Sequence, residues 1–102
     1  GEIMNNMNNM KRQVKTTNSY SVAIESKFIA PTNTKGDRIR VKSLCGGGKS
    51  KMYSYDYEIN DIENHESAIG MFLHEQEYFG EWRVGGTSTG AVAVCISRER
   101  EV

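Results

Sequence analysis

The chain of 102 residues is poor in the residue types that build recognisable chemical sites: two cysteines, two histidines, one proline and one tryptophan. Cys45 and Cys95 stand fifty positions apart with neither CxxC nor paired-histidine spacing, so no zinc site and no disulfide framework is indicated. They read as two small packing residues. His65 and His74 are nine positions apart, about 900° of rotation along a helix, which sets them on opposite sides and excludes shared chelation of one metal from that helix. His65 falls within an apolar stripe and reads as a packed, hydrogen-bonded histidine, and His74 reads as part of a solvated face. Nucleophile elbows and HExxH are also missing, so no enzyme, cofactor or metal is expected. No apolar run approaches the roughly 18 to 20 residues of a membrane span, and no signal-peptide core stands near the N-terminus. A cytoplasmic protein that makes no membrane contact is the expectation.

One fragment does resemble a catalytic motif. In LCGGGKSKMY, residues 44–53, the GGGKS string invites comparison with a phosphate-binding P-loop. That loop requires a glycine at position 43, where this chain has Ser43, and a helix after the lysine. The lysine instead leads into SKMYSYDYE, an alternating segment with three tyrosines and therefore a strand. The glycines thus read as the turn between two strands.

Net charge is zero, yet the charges are segregated. Residues 1–51 hold ten Lys and Arg against three acids, and residues 52–102 hold three against ten. From Asp56 to Glu81 there are eight acids and no Lys or Arg. Either the halves neutralise each other inside one fold, or the folded surface carries one basic and one acidic face.

Along the chain, residues 1–18 are rich in Asn and Met without apolar period and read as a disordered tail. Gly1 to Ile3 read as a cloning remnant. Residues 19–98 form one α+β domain. SYSVAIESKFI alternates, with Tyr20, Val22, Ile24 and Phe28 on one side. APTNTKGD is a loop with Pro31 and Gly36. RIRVKSLC sets Ile39, Val41 and Cys45 against the row Arg38, Arg40 and Lys42.

The helix is expected over NDIENHESAIGMFLHEQEYF, with Asn60 as N-cap, Glu63 completing a capping box, and Ile62, His65, Ile69, Phe72 and Gln76 along one stripe until Gly80 ends it. In EWRVGGTSTGAVAVCIS, Trp82 and Val84 are expected to face the core with Val92, Val94 and Ile96, leaving Ala91, Ala93 and Cys95 outside. The order β-β-β-α-β-β describes a mainly antiparallel sheet of about five strands covered on one face by one helix.

The segments APTNTKGDRIRV, YDYEINDIENHESA and WRVGGTSTGAVAV resemble a group of small uncharacterised bacterial and mobile-element proteins. They share a Pro-Thr-Asn loop entering a basic strand, a Tyr-Asp-Tyr strand end, an Asn-His helix start and a Gly-Gly hairpin. The resemblance spans Val22 to Val94. It implies a genomic setting among phages, plasmids and integrated elements and carries no mechanism. GGGKS, with Lys49 and Lys51, departs from the shorter hairpin of the group.

The remaining chemistry depends on which way the strands face. Turning the set Lys49, Lys51, Tyr53, Tyr55 and Tyr57 beneath the helix is favoured by apolar area, because the opposite set offers only Met52 to a core; the two lysines would then extend past the sheet end. Exposing them would interleave tyrosines and lysines on an open sheet suited to stacking bases. In both cases the outer face carries Lys27, Arg38, Arg40, Lys42 and Arg83, with Lys35 and Lys49 at the loop tips. A non-catalytic protein that binds DNA or RNA through this face is therefore expected. The alternative is a protein-binding module or inhibitor acting through the acidic helix, and a homodimer through the sheet face or an edge strand is a third expectation. Asp56, Asp61, Glu63 and Glu66 read as capping and solubilising residues in preference to cation ligands.

Overall fold

A computed structural model describes residues 22–45 and 47–98. The expected tail over 1–18, the strand start at Tyr20 and the turn residue Gly46 lie outside the described residues. Strands β1 (Ala23–Ile29), β2 (Arg38–Ser43) and β3 (Ser50–Ser54) precede helix α1 (Asp61–Glu75), and β4 (Gly80–Gly86) and β5 (Gly90–Arg98) come after it. The sheet order is β3-β2-β1-β5-β4, with every neighbouring pair antiparallel. The fold is α+β, in the expected order.

The helix starts where the side chains can serve its free N–H groups. Asn60 Oδ1 accepts from the Glu63 N–H at 2.8 Å, and Glu63 Oε1 accepts from the Asn60 N–H at 3.2 Å, so the expected capping box is present. Asn64, one position on, is buried and locks the β3–α1 connection. Its Oδ1 accepts from the Asp56 N–H at 2.7 Å, and its Nδ2 donates to the carbonyls of Asp56 and Asn60 at 2.8 and 3.0 Å.

The helix ends four residues before the expected terminus. Gln76 is its C-cap and Glu77 takes a left-handed φ of 60°, so Tyr78 and Phe79 leave the helical path before Gly80 opens β4. Its buried stripe is Asn64, His65, Ala68, Ile69 and Phe72. Ile62, expected in that stripe, is 71% exposed because the helix rolls toward β2, β1 and β5 and away from β4.

The core lies between α1 and the middle strands: Ile24, Ile39, Val41, Ala68, Ile69, Phe72, Ala91 and Ala93. Ala91 and Ala93 correct the expectation for β5. Register pairs Val84 with Ala93 and Trp82 with Cys95, and residues directly opposite share a face, so the small residues of β5 point at the helix. Val94 and Ile96 point outward, 42% and 37% exposed. The cause is spacing. At the start of β5 the fit is explicit: a Cβ on Gly90 would stand 2.8 Å from His65 Cε1, and Ala91 and Ala93 beyond it are 5% and 0% exposed.

At GGGKS, Gly47 and Gly48 take φ of 90° and 46° within the connection from β2 to β3. The Ser43 N–H donates to the Lys49 carbonyl at 2.8 Å, and the chain continues as a strand in place of a helix.

Candidate nucleic-acid interface

Alternation along β2 decides where its charges go. Ile39, Val41 and Ser43 are buried under α1, so Arg38, Arg40 and Lys42 line the opposite face, which carries no second layer of structure among the described residues. Neighbouring strands extend that face. Lys27 of β1 stands opposite Arg40, Glu25 opposite Lys42 and Ile29 opposite Arg38. On the other flank, β3 offers Met52 beside Arg40, with Ser54 and Ser50 beside Arg38 and Lys42.

Successive outward residues of a strand lie about 6.6 Å apart, so the β2 cations form a regular line. Lys35 lies in the loop before β2, and Lys49 in the turn after it; both residues are exposed. Thr32 shapes the first loop: its N–H donates to the Lys35 carbonyl at 2.7 Å, and its hydroxyl accepts from the Lys35 N–H at 3.1 Å.

Lys27, Arg38, Arg40 and Lys42 are thus brought to one face of the sheet, whereas Lys49 stands opposite the inward-facing Ser43 and continues the helix-side set of β3. Arg83 shares the outer face with those four but stands apart from them. It faces outward from β4 opposite Val94, and β5 with Val92, Val94 and Ile96 separates it from β1.

Few of these cations are used by the protein itself. Lys27 Nζ lies 3.9 Å from Glu25 Oε1, a loose surface pair. Arg38 Nε donates to the Gly36 carbonyl at 3.3 Å. Arg40 Nε is enclosed by its neighbours without a hydrogen-bond partner among the described residues. No carboxylate among the described residues lies within ion-pairing distance of Arg38, Arg40, Lys42 or Arg83.

Tyr53 and Tyr55 are on the helix side. They pack at the edge of the core, and the Phe28 and Tyr55 rings meet edge to face with centroids 5.7 Å apart. Tyr53 donates its hydroxyl to Glu75. Lys51 donates its ammonium to the same carboxylate, and so turns back under the helix instead of extending past the sheet end. Burial, then the Glu75 hydrogen bond, push the Tyr53 phenol above its ordinary range. Tyr55 is raised by desolvation and by Asp61. Tyr57, 72% exposed, donates to Asp37, and that bond is the main cause of its raised pKa. Neither Tyr53 nor Tyr55 offers a stacking platform on the cationic face. Trp82 also sits on the helix side, its indole N–H donating to the Tyr78 carbonyl at 2.9 Å.

The acids at the β3–α1 junction are occupied by backbone and side-chain donors. Asp56 Oδ1 accepts from the Glu58 N–H at 2.9 Å, Glu63 completes the capping box, and Asp61 accepts from the Tyr55 hydroxyl at 3.3 Å. Cys45 and Cys95 are both half-buried thiols. Among the described residues no helix is long and apolar enough to cross a membrane.

The apolar part of the outer face is hidden from sequence reasoning. Met52, Val94 and Ile96 lie exposed beside the cations, whereas size alone assigns the β5 residues to the core. The signal that places them correctly is the run of small residues at 90, 91 and 93. No family model matches the chain, and no curated protein or solved structure matches it either.

Proposed function

We propose that this chain is a non-catalytic nucleic-acid-binding protein that holds the phosphate backbone of DNA or RNA against the outer face of its sheet. One observation carries the reading: a regular line of cations on β2, flanked by Lys27 on β1, on an uncovered face where the protein's own carboxylates leave Arg38, Arg40 and Lys42 unpaired among the described residues. Unpaired guanidinium and ammonium groups at strand spacing suit a row of phosphates, each contact releasing condensed counterions. Because Tyr53, Tyr55 and Trp82 lie on the helix side, the contacts are to backbone and not to stacked bases. Lys35 and Lys49, in the loops before and after β2, and Arg83 on β4 contribute more distant contacts.

Salt dependence is the test. If Lys27, Arg38, Arg40 and Lys42 each neutralise a phosphate, log affinity against log salt falls with a slope of about −3.6 on duplex DNA and about −2.8 on a single strand. Mobility shifts with single- and double-stranded DNA and RNA across a salt series measure it directly. No retention at low salt on any of these would end the proposal.

A further inference from the structure

Helix α1 packs on β2, β1 and β5 and leaves β4 at the margin of its cover, where a cleft of ≈ 170 Å³ opens between the first turns of the helix and the β4–β5 hairpin. Ile62, Val84 and Ala91 form its apolar walls, and its polar groups are Asp61, His65 and Glu66. This cleft lies on the opposite side of the sheet from the cationic face.

His65 makes it a built site. The residue is only 4% exposed, and its Nδ1 lies 2.7 Å from the buried hydroxyl of Ser26. Its Nε2 belongs to the cleft, 3.8 Å from Asp61 Oδ2, beyond hydrogen-bond reach and without another partner among the described residues. The ring lies against β5 because residue 90 is glycine: a Cβ there would stand 2.8 Å from His65 Cε1 and collide with the Ser26 carbonyl. A buried imidazole is thus fixed from behind, with its far nitrogen open to a ligand.

The rim of the cleft is also unusual. An added Cβ at Gly85 or Gly86 would meet nothing within 4 Å, and neither residue has positive φ, so neither crowding nor backbone conformation inside the chain demands glycine there. Both lie on β4, which among the described residues pairs only with β5 and keeps one edge without a strand partner. Missing side chains on an edge strand allow another backbone to approach closely.

We infer that the β4 edge and the Asp61–His65–Glu66 cleft together dock an extended segment of a partner protein, with one arginine side chain of that segment seated in the cleft. Backbone groups of the segment pair with β4, and its alternate side chains turn toward the helix side. The aliphatic part of the arginine lies along Ile62 and Val84. Its guanidinium meets the two carboxylates, and one N–H reaches His65 Nε2 when that nitrogen is unprotonated.

A short peptide of alternating Thr and Val with one central Arg, titrated into the isotope-labelled chain, tests this. The expected result is amide shifts at Val84, Gly85 and Gly86, and binding about tenfold weaker when citrulline replaces the arginine. The double variant Asp61→Asn, Glu66→Gln should bind both peptides equally. Glu66→Gln alone, on an exposed helical position, should reduce the preference and serves if the double variant unfolds. Absence of binding, equal affinity for arginine and citrulline peptides, or shifts confined to β1 and β2 would overturn the assignment. Arginine amide binding as tightly as the peptide would overturn the strand-pairing part, leaving a small-cation site.

Discussion

Ser26 Oγ lies 2.7 Å from Nδ1 of His65, both residues being buried, so β1 and α1 share a polar tie beside the apolar core. Ser26→Ala strands the imidazole nitrogen away from water, and leaving a buried polar atom unpaired costs about 1–3 kcal/mol. Urea unfolding monitored by circular dichroism reads that loss as a lowered midpoint. An unchanged midpoint would mean that water replaces the hydroxyl and that the pair contributes nothing to stability.

The two ends of the β2 cation line are separable from the fold. Arg38 and Lys42 point away from the core, so Arg38→Glu with Lys42→Glu should leave the unfolding midpoint nearly unchanged and remove two phosphate contacts. On duplex DNA the salt slope then becomes shallower by about 1.8, and affinity falls at every salt concentration. Filter binding across the salt series checks both. Loss of affinity with an unaltered slope would show that these residues act on the fold or on a different partner, and not on phosphates.

The element order, the capping box at Asn60 and Glu63, and the direction of Arg38, Arg40 and Lys42 are legible in the sequence because each rests on a local rule: alternation, spacing, or side-chain chemistry at a helix start. The inward turn of Tyr53 is legible from apolar area alone, since its strand offers little else to a core. The facing of β5 cannot be read locally. Both of its alternate sets are apolar, and the choice belongs to the helix, beneath which Ala91 and Ala93 are buried and Gly90 has no room for a Cβ. Asn64 escapes sequence reasoning for a similar reason: its partners are backbone groups of Asp56 and Asn60, whose positions exist only once the connection has folded. The docking cleft combines residues from α1, β4 and β5, and no single stretch of sequence displays it.

The facing of β5 is itself open to test. Ala93 is fully buried beneath α1, so Ala93→Val forces two extra methyl groups into a closed space, at a cost of about 1–3 kcal/mol. Val94→Thr, one residue along and 42% exposed, should change stability by less than about 0.5 kcal/mol. Thermal unfolding of the two variants side by side distinguishes the faces. Should the threonine variant prove the more damaging, β5 would have to be turned over, and Val94 would no longer lie on the cationic face.

Glu75 gives the fold a pH dependence on its acid side. The Lys51 ammonium and the Tyr53 hydroxyl both donate to its carboxylate, and these bonds, the lysine's first, hold its pKa below the ordinary carboxylate value despite some opposing desolvation. A carboxylate with a lowered pKa in the folded state is ionised there at a pH where the unfolded chain already binds the proton. Its contribution is therefore complete above the unfolded-state value and disappears as pH falls through the folded-state value. Glu75→Gln should flatten this part of a stability curve while matching the parent at the acid end. Because the pair is solvent-exposed, added salt should narrow the difference between the two proteins. On the alkaline side Tyr53 acts in the opposite sense: its pKa is raised by burial and by Glu75, so its contribution is present below the ordinary phenol value and lost as pH rises through the raised one. Urea midpoints of the parent, Glu75→Gln and Tyr53→Phe from acid to alkaline pH measure both limbs. An acid limb identical in the parent and in Glu75→Gln would assign the acid sensitivity to other carboxylates and leave the β3–α1 tie without energetic weight.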